Sequence, residues 1–187
     1  MREHGPWKIL SSRTVYRDPW IDLRRDEVIR PDGQEGSHCV LNLKPGISVL
    51  PLDEDGQVYL TSEFPYGIGR ESLEVVSGGI DEAETPEQAA QRELLEELGI
   101  RASRLEFLAE VDPFTTVVVS PTRLYLATGL SFHESRPEGT EQIRCVRMPL
   151  TEAIASIPAG RITHAPSSLA VLLGHRVWEQ MQGRSIR

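Results

Sequence analysis

The sequence predicts a mixed α/β or α+β fold, a sandwich built around a mixed β-sheet. Three observations carry this prediction. Apolar segments with β-branched or alternating residues fill the first half, a strongly capped helix follows at residues 85–98, and further strands and helices succeed one another towards the C-terminus. Strands and helices in mixed order favour layers of helix packed on sheet.

Strands separated by tight turns are predicted before the central helix. Pro31, Asp32 and Gly33 are typical of a turn. A second hairpin is expected around residues 53–56, because Asp and Gly tolerate the positive φ of tight turns. The predicted strands are residues 9–16, 21–30, 39–43, 47–52, 57–62 and 71–76.

Local signals define the helix at residues 85–98. Thr85 is placed to cap the first turn, Pro86 occupies the first helical position and Gln88 completes a capping box. Gly99 is expected to end the helix in a left-handed conformation. Later elements are predicted as strands at residues 105–111, 124–127 and 143–148 and helices at residues 151–157 and 167–181.

Composition limits the class of protein. The 187 residues suit one domain, or one domain with a small appendage, and the formal net charge of -8 opposes binding to nucleic acid. Cys39 and Cys145 lack the spacing of a zinc site or a redox pair, which favours a reducing, cytoplasmic setting. No apolar run approaches the roughly 20 residues that cross a bilayer, so neither export nor a membrane association is expected.

Three glutamates on one helical face are the strongest chemical signal. Glu93, Glu96 and Glu97 share an arc beside the apolar positions, and like charges so close predict a cation between them. Carboxylate oxygens suit Mg²⁺ or Mn²⁺ rather than zinc. The alternative is a solvated face paired with Arg92 and Arg101. The apolar arc contains Ala90, Leu94, Leu95 and Leu98.

The helix and the loop before it resemble the Nudix box, G-x5-E-x7-R-E-U-x-E-E-x-G-U, in which U is a bulky aliphatic residue. All nine fixed or restricted positions are satisfied. A complete match is far more specific than a lone glycine-rich loop. The matching residues are Gly78, Glu84, Arg92, Glu93, Leu94, Glu96, Glu97, Gly99 and Ile100.

The resemblance implies a Nudix α/β/α sandwich that binds Mg²⁺ or Mn²⁺ and splits the pyrophosphate of a nucleoside diphosphate linked to another group. Arg92 and Glu84 are expected to pair and to hold the loop against the helix, as outer residues that position the ligands. The same ion pair without a metal is the alternative. The implied metal ligands are Glu93, Glu96, Glu97 and the carbonyl of Ser77.

Beyond the box, the chain is similar to the ADP-ribose pyrophosphatase and nucleotide-sugar hydrolase branch of the family. That branch has an N-terminal β subdomain that helps to form a homodimer. Residues 1–44 are expected to supply it, and residues 45–187 the catalytic domain. Residues 74–78 read Glu-Val-Val-Ser-Gly where the branch usually has Glu-Leu-Pro-Ala-Gly.

Substrate contacts depart from the branch, because residues 62–66 lack both arginines of its usual Arg-Gln-x-Arg motif. Arg70, or Arg24 or Arg25 from the N-terminal segment, is expected to replace them on the diphosphate. Phe64 either stacks on the nucleobase or packs on the sheet.

A general base is expected from the polar residues 131–142, because relatives supply a glutamate from a loop at this place. Glu134, Glu138 and Glu141 are candidates, and Glu138 and Glu141 fit the family position best. Arg123 either contacts phosphate or is a solvated strand residue. Dinucleoside polyphosphates and coenzyme diphosphates are alternative substrates, and a nucleotide sensor without catalysis is the alternative of another class.

Overall fold

A computed structural model of the chain describes residues 1–135 and 142–183. It divides into two compact units, Met1–Pro45 with Asp112–Pro121, and Gly46–Val111 with Thr122–Arg187. The sequence prediction kept residues 45–187 together, whereas the structure groups residues 112–121 with the first unit. No helix within the described part of the chain is long and apolar enough to span a membrane.

The elements of both units are numbered in chain order. The strands are β1 (Arg2–His4), β2 (Trp7–Arg17), β3 (Ile21–Ile29), β4 (Glu35–Leu43), β5 (Gly46–Pro51), β6 (Gln57–Glu63), β7 (Ser72–Glu74), β8 (Val76–Gly79), β9 (Ile100–Val111), β10 (Val118–Val119), β11 (Thr122–Phe132) and β12 (Arg144–Pro149). The helices are α1 (Pro86–Leu98), α2 (Leu150–Ser156) and α3 (Ala165–Met181).

The first unit is a five-stranded sheet in the order β1-β2-β3-β4-β10. Its first four strands are antiparallel, and β10 runs parallel to β4. The predicted strands correspond to β2, β3 and the second half of β4. The turn at residues 31–33 is confirmed, since Gly33 has a φ of 84° and donates its N–H to the carbonyl of Arg30. β1 and β10 are too short to leave a periodic signal.

The second unit contains a four-stranded sheet, β8-β5-β11-β9, and a three-stranded sheet, β12-β6-β7. The first of these is mixed, because β11 pairs in parallel with β5 and antiparallel with β9. Alternate residues of its central strands serve two cores. Val49 and Tyr125 pack with α1, whereas Leu50 and Leu126 pack with α3. This sheet between two helices is the predicted α/β/α sandwich.

Two predictions for this unit are wrong in part. The turn at residues 53–56 exists, with Asp53 donating to the carbonyl of Gln57, but β5 and β6 belong to different sheets and are bridged only at Leu52 and Val58. The single strand predicted at residues 71–76 is two strands, β7 and β8, interrupted at Val75.

Candidate active site

Helix α1 carries the candidate site, and its ends are fixed by the predicted caps. The Thr85 hydroxyl accepts the N–H of Gln88 at 3.2 Å, and the Gln88 side chain accepts the N–H of Thr85 at 2.8 Å. Pro86 begins the helix, and Gly99 ends it with a φ of 64°. These caps satisfy backbone groups that a helix terminus would otherwise leave unpaired. The helix therefore starts and stops where the sequence predicts.

The buried face of α1 fixes the direction of its acidic face. Ala90, Leu94 and Leu98 are buried in the core against the four-stranded sheet, as predicted. Ala89 is buried too, and Leu95 is only half-buried. Because neighbouring arcs of a helix are fixed relative to each other, Glu93, Glu96 and Glu97 lie at the margin between core and solvent. All three are half-buried.

Arg92 joins the loop before α1 to the acidic face of the helix. Its guanidinium binds both carboxylate oxygens of Glu84, at 2.9 and 3.0 Å, and the carbonyl oxygen of Gly79 at 2.9 Å. It also donates to Glu93 at 2.7 Å and to Glu96 at 3.1 Å. The expected pairing of Arg92 with Glu84 is thus present. One arginine holds the loop and two of the three glutamates together.

These contacts change the ionisation of both partners. Hydrogen bonds to Glu84 and Glu93 outweigh partial burial and raise the pKa of Arg92 above its already high ordinary value. The bond from Arg92, helped by the N–H of Asp81, holds the pKa of Glu84 below its ordinary value. Both groups are therefore charged at neutral pH, and the pair is a charge-assisted, bidentate one.

Gly78 gives the Glu93 carboxylate its place. A Cβ atom at Gly78 would lie 1.9 Å from Oε1 of Glu93, a distance that no real Cβ contact allows. Only a residue without a side chain permits this approach. Ser77, the residue before it, donates its hydroxyl to the carbonyl of Val75 at 3.0 Å and lies 2.9 Å from the hydroxyl of Ser48. The strand β8 therefore passes directly beneath the helix glutamate.

A hard divalent cation suits the donors gathered here. Glu93, Glu96 and Glu97 offer carboxylate oxygens on one face, and Gly78 leaves the backbone of β8 open to the same place. Among residues 1–135 and 142–183, no three Asp, Glu, His or Cys side chains converge closely enough to hold a metal ion. In the structure, the carboxylates of Glu93 and Glu96 form ion pairs with Arg92. The residue types fit a divalent cation. Its binding to Glu93 and Glu96 would compete with their ion pairs to Arg92.

The substrate contacts predicted in the second unit have other partners. Arg70 donates to the hydroxyl of Thr163 at 3.0 Å. Arg123 donates to Glu110, its cross-strand partner on β9, at 2.8 Å. Phe64 is 62% exposed and so is not packed into the sheet. None of these contacts joins the Arg92 cluster.

Arg24 and Arg25 lie on β3 of the first unit. Arg24 donates to the buried carboxylate of Asp26 at 3.0 Å, and Arg25 donates to Glu27 at 3.0 Å. Each arginine is therefore paired within its own strand.

The candidate bases Glu138 and Glu141 lie outside the described residues. Glu134 is described, and it lines a cavity of about 450 Å³ with Leu95, Glu96, Arg101 and His133. The start of this loop is fixed, because the His133 N–H donates to the carbonyl of Gly99 at 2.6 Å. The predicted base loop thus leaves the sheet beside the acidic face of α1.

Tyr125 supports the helix that carries the candidate site, and the sequence did not reveal this contact. Its buried hydroxyl donates to Glu87 in the first turn of α1 at 2.9 Å, and burial together with this bond raises the pKa of Tyr125 to about 12. This hydrogen bond joins the first turn of α1 to strand β11 of the four-stranded sheet. Within an apolar strand, a tyrosine gives no sign of such a partner.

Comparisons with known proteins show which families and folds the chain resembles. The model of the NUDIX domain family matches residues 42–168, and that of the nucleoside diphosphate sugar hydrolase N-terminal domain matches residues 7–41. The ADP-ribose pyrophosphatase of Mycobacterium tuberculosis is 30% identical, over 95% of this chain and 86% of its own. That of Bacillus subtilis is 22% identical over 88% and 90%. A crystal structure of an ADP compounds hydrolase shares the fold, with a TM-score of 0.81, 24% identity and coverage of 99% of this chain and all of its own.

Proposed function

The chain belongs to the Nudix family, and we propose that it hydrolyses the pyrophosphate bond of ADP-ribose or a related nucleoside diphosphate sugar, releasing a nucleoside monophosphate. One observation carries this proposal. Every position of the box is present on a capped helix and its flanking residues, with Arg92 already joining the loop glutamate to the helix glutamates. An N-terminal segment that matches the sugar hydrolase model supports the substrate class.

The box residues divide into ligands and supports. Glu93, Glu96 and Glu97, with the carbonyl of Ser77, would hold Mg²⁺ or Mn²⁺. When bound, this cation would polarise the phosphoryl oxygens and lower the pKa of the attacking water. The supporting residues, which position the ligands, are Arg92 and Glu84. They keep the loop and the helix glutamates in one place, so that ligands are ordered before substrate arrives.

Further residues are proposed to bind the substrate. Arg70 and Arg123 are surface guanidinium groups whose present partners are a hydroxyl and an exposed carboxylate, so both could exchange them for phosphate at small cost. Arg24 and Arg25 are the corresponding candidates in the first unit. The exposed ring of Phe64 is available to stack on the base. Glu138 and Glu141 remain the proposed general bases.

A homodimer through the first unit is also proposed. Strand β1 pairs only with residues 7–9 of β2, so residues 10–17 form a long sheet edge, and all of them are exposed. Val15, Tyr16 and Trp20 are large apolar side chains left in solvent here. An exposed edge strand of this length, with apolar side chains at one end, invites pairing with another strand.

The setting is proposed to be the reducing cytoplasm, because Cys39 and Cys145 are both free and exposed thiols. Small nucleotides are the proposed partners, since a net charge of -8 opposes binding to nucleic acid. Dinucleoside polyphosphates and coenzyme diphosphates are the competing substrates. A sensor without catalysis is less well supported, because the box keeps all its glutamates.

A substrate panel tests the proposal. Purified protein with Mg²⁺ is given ADP-ribose, nucleotide sugars, a dinucleoside polyphosphate, a coenzyme diphosphate and a nucleoside triphosphate, and products are separated by chromatography. We expect nucleoside monophosphate from ADP-ribose or a nucleotide sugar. Glu97→Gln should lose roughly 100-fold or more in kcat, because it removes a proposed ligand. Glu152→Gln, on the exposed face of α2, is the control.

Binding of a nucleotide without any turnover would favour the sensor. Full activity in Glu97→Gln would refute the ligand assignment while leaving the substrate class intact.

A further inference from the structure

Val75 marks the point where the chain changes sheets. The residue before it pairs with β6 in the three-stranded sheet, and the residue after it pairs with β5 in the four-stranded sheet. Val75 itself is buried and belongs to neither strand. A buried N–H outside a ladder needs another acceptor. The hydroxyl of Ser167 provides it, at 3.0 Å.

Ser167 is held in turn by the start of α3. It lies in the first turn of that helix and is fully buried. Nδ1 of His164, at the N-cap position, is 2.8 Å from the Ser167 hydroxyl and 3.0 Å from a carboxylate oxygen of Glu74. Since an ionised carboxylate only accepts, Nδ1 carries the proton and shares it between these two oxygens. Glu74, Val75 and the start of α3 are thereby bound together.

The same chain of contacts reaches the candidate site. The carbonyl of Val75 accepts the Ser77 hydroxyl, which also contacts the fully buried hydroxyl of Ser48 on β5. Ser77 is followed by Gly78, over which the Glu93 carboxylate lies. Side-chain hydroxyl groups therefore fix both backbone groups of Val75, two residues before the proposed carbonyl ligand.

Strand β8 needs such support. It has only four residues, and it is the edge strand of its sheet, paired on one side with β5 alone. A short edge strand has half the ladder bonds of a central one, so its register is weakly specified. Contacts at Val75 limit the freedom of the strand where it enters the sheet.

We propose that Ser167 and His164 are positioning residues, which fix the path of residues 75–79 and so set the Ser77 carbonyl and Gly78 beneath Glu93. This role rests on the proposed function, because it concerns the ligands of that reaction. It assigns to the start of α3 a part in ordering a site that it does not itself line.

The test compares Ser167→Ala with Ser168→Ala. The next residue along α3 is a suitable control, because it has the same side chain in the same helical turn, and its hydroxyl has no hydrogen bond to any described residue. Hydrogen exchange of the peptide covering residues 73–79 reports the strand directly. Binding of Mn²⁺, followed by the electron paramagnetic resonance signal of free Mn²⁺, reports the ligands without turnover.

We expect Ser167→Ala to speed exchange of this peptide and to weaken Mn²⁺ binding by roughly 10-fold, the lower end of effects seen for outer residues of metal sites. kcat should fall while KM changes little, since ligands rather than substrate contacts move. His164→Leu should act in the same direction. His164→Asn should restore most of the loss, because its amide nitrogen replaces Nδ1 as a donor. Ser168→Ala should match the wild type.

Unchanged exchange in Ser167→Ala would overturn the proposal. So would faster exchange with wild-type Mn²⁺ binding and kcat, since the contact would then be structural only. If the wild type itself bound no Mn²⁺ and cleaved no nucleotide, the proposed function would fail and this inference with it. The wild-type arm therefore separates the two failures.

Discussion

At the scale of single residues, the approach of Glu93 to Gly78 gives the sharpest prediction. Gly78→Ala would place a Cβ 1.9 Å from the Glu93 carboxylate, and the glutamate must move because the opposing atoms of β8 are backbone. A displacement of about 1 Å at a reacting centre costs on the order of 100-fold in rate. We expect kcat/KM to fall by that factor.

Gly67→Ala is the matched control, because its Cβ would meet nothing within 4 Å and its φ is not positive. It should keep wild-type kinetics. If Gly78→Ala were equally active, the carboxylate of Glu93 would have no essential place over β8.

Glu74 predicts a pH-dependent stability. Burial, the largest single effect, would raise the pKa of Glu74, but hydrogen bonding to His164 and Ser72 and the electrostatic attraction of His164 together outweigh it and bring the pKa below the ordinary 4.5. A carboxyl with a lowered folded pKa stabilises the protein above its ordinary pKa, and this contribution is lost as pH falls through the folded value. Glu74→Gln should therefore cost about 1.5 kcal/mol at pH 7. The difference from wild type should shrink as pH falls below 4.5.

Urea unfolding at a series of pH values measures this difference. Glu71→Gln is the control, because the Glu71 side chain is 75% exposed and its ion pair with Arg144 is long, at 3.9 Å. A Glu74→Gln penalty that stayed constant from pH 7 to pH 3 would mean that the carboxylate charge is not what stabilises this contact.

A contact between side chains was predictable from sequence where a pattern fixed their spacing. Glu84 and Arg92 occupy set positions of the box, and the structure brings them together. Arg123 has no such pattern around it. Its partner Glu110 lies on a neighbouring strand and becomes a neighbour only through the pairing of β9 with β11. Long-range pairing of this kind is invisible in one sequence.

At the scale of elements, the C-terminus of α1 couples helix geometry to the neighbouring loop. Gly99 has a φ of 64°, and a Cβ there would lie 2.2 Å from the carbonyl oxygen of His133. Gly99→Ala therefore combines backbone strain with a collision between the new Cβ and a backbone carbonyl. Gly160 has a φ of 72°, and a Cβ there would meet nothing within 4 Å, so Gly160→Ala measures the backbone strain without a collision.

We expect Gly160→Ala to cost about 1 kcal/mol, the penalty of a left-handed alanine, and Gly99→Ala to cost clearly more. Activity should fall only in Gly99→Ala, because the displaced loop lines the cavity beside Glu96. Chemical denaturation and kcat/KM measure the two effects. Equal stability losses in both variants would show that the loop yields freely to the new side chain.

Elements were predictable to the extent that their signals are local. Helix α1 carries its own caps and stop residue within its sequence, so its bounds were predicted to within one residue. The separation of β5 from β6 was not predicted, because a turn motif describes only the turn, and the choice of sheet depends on distant partners. The break at Val75 carries no Gly or Pro, and the acceptor of the Val75 N–H there is Ser167, far along the chain.

At the scale of the whole molecule, the open edge of β2 predicts the oligomeric state. Light scattering of the wild type should give the mass of two chains. Val15→Lys replaces an exposed apolar side chain on this edge by a charge and should reduce that mass to one chain. Leu172→Lys is the control, since Leu172 is equally exposed but lies on α3. A monomeric wild type would refute the dimer, and a dimeric Val15→Lys would place its interface elsewhere.

The excursion at Asp112–Pro121 has a consequence for how the two units can be recombined. The backbone passes between them three times, after Pro45, after Val111 and after Pro121. In a chimera that took only the first 45 residues from a relative, β4 would come from the relative, whereas β10, its parallel partner, would come from this protein. Exchange of the first unit between relatives therefore requires that both of its segments, Met1–Pro45 and Asp112–Pro121, are replaced together. Replacement of one segment alone would pair strands from two different proteins.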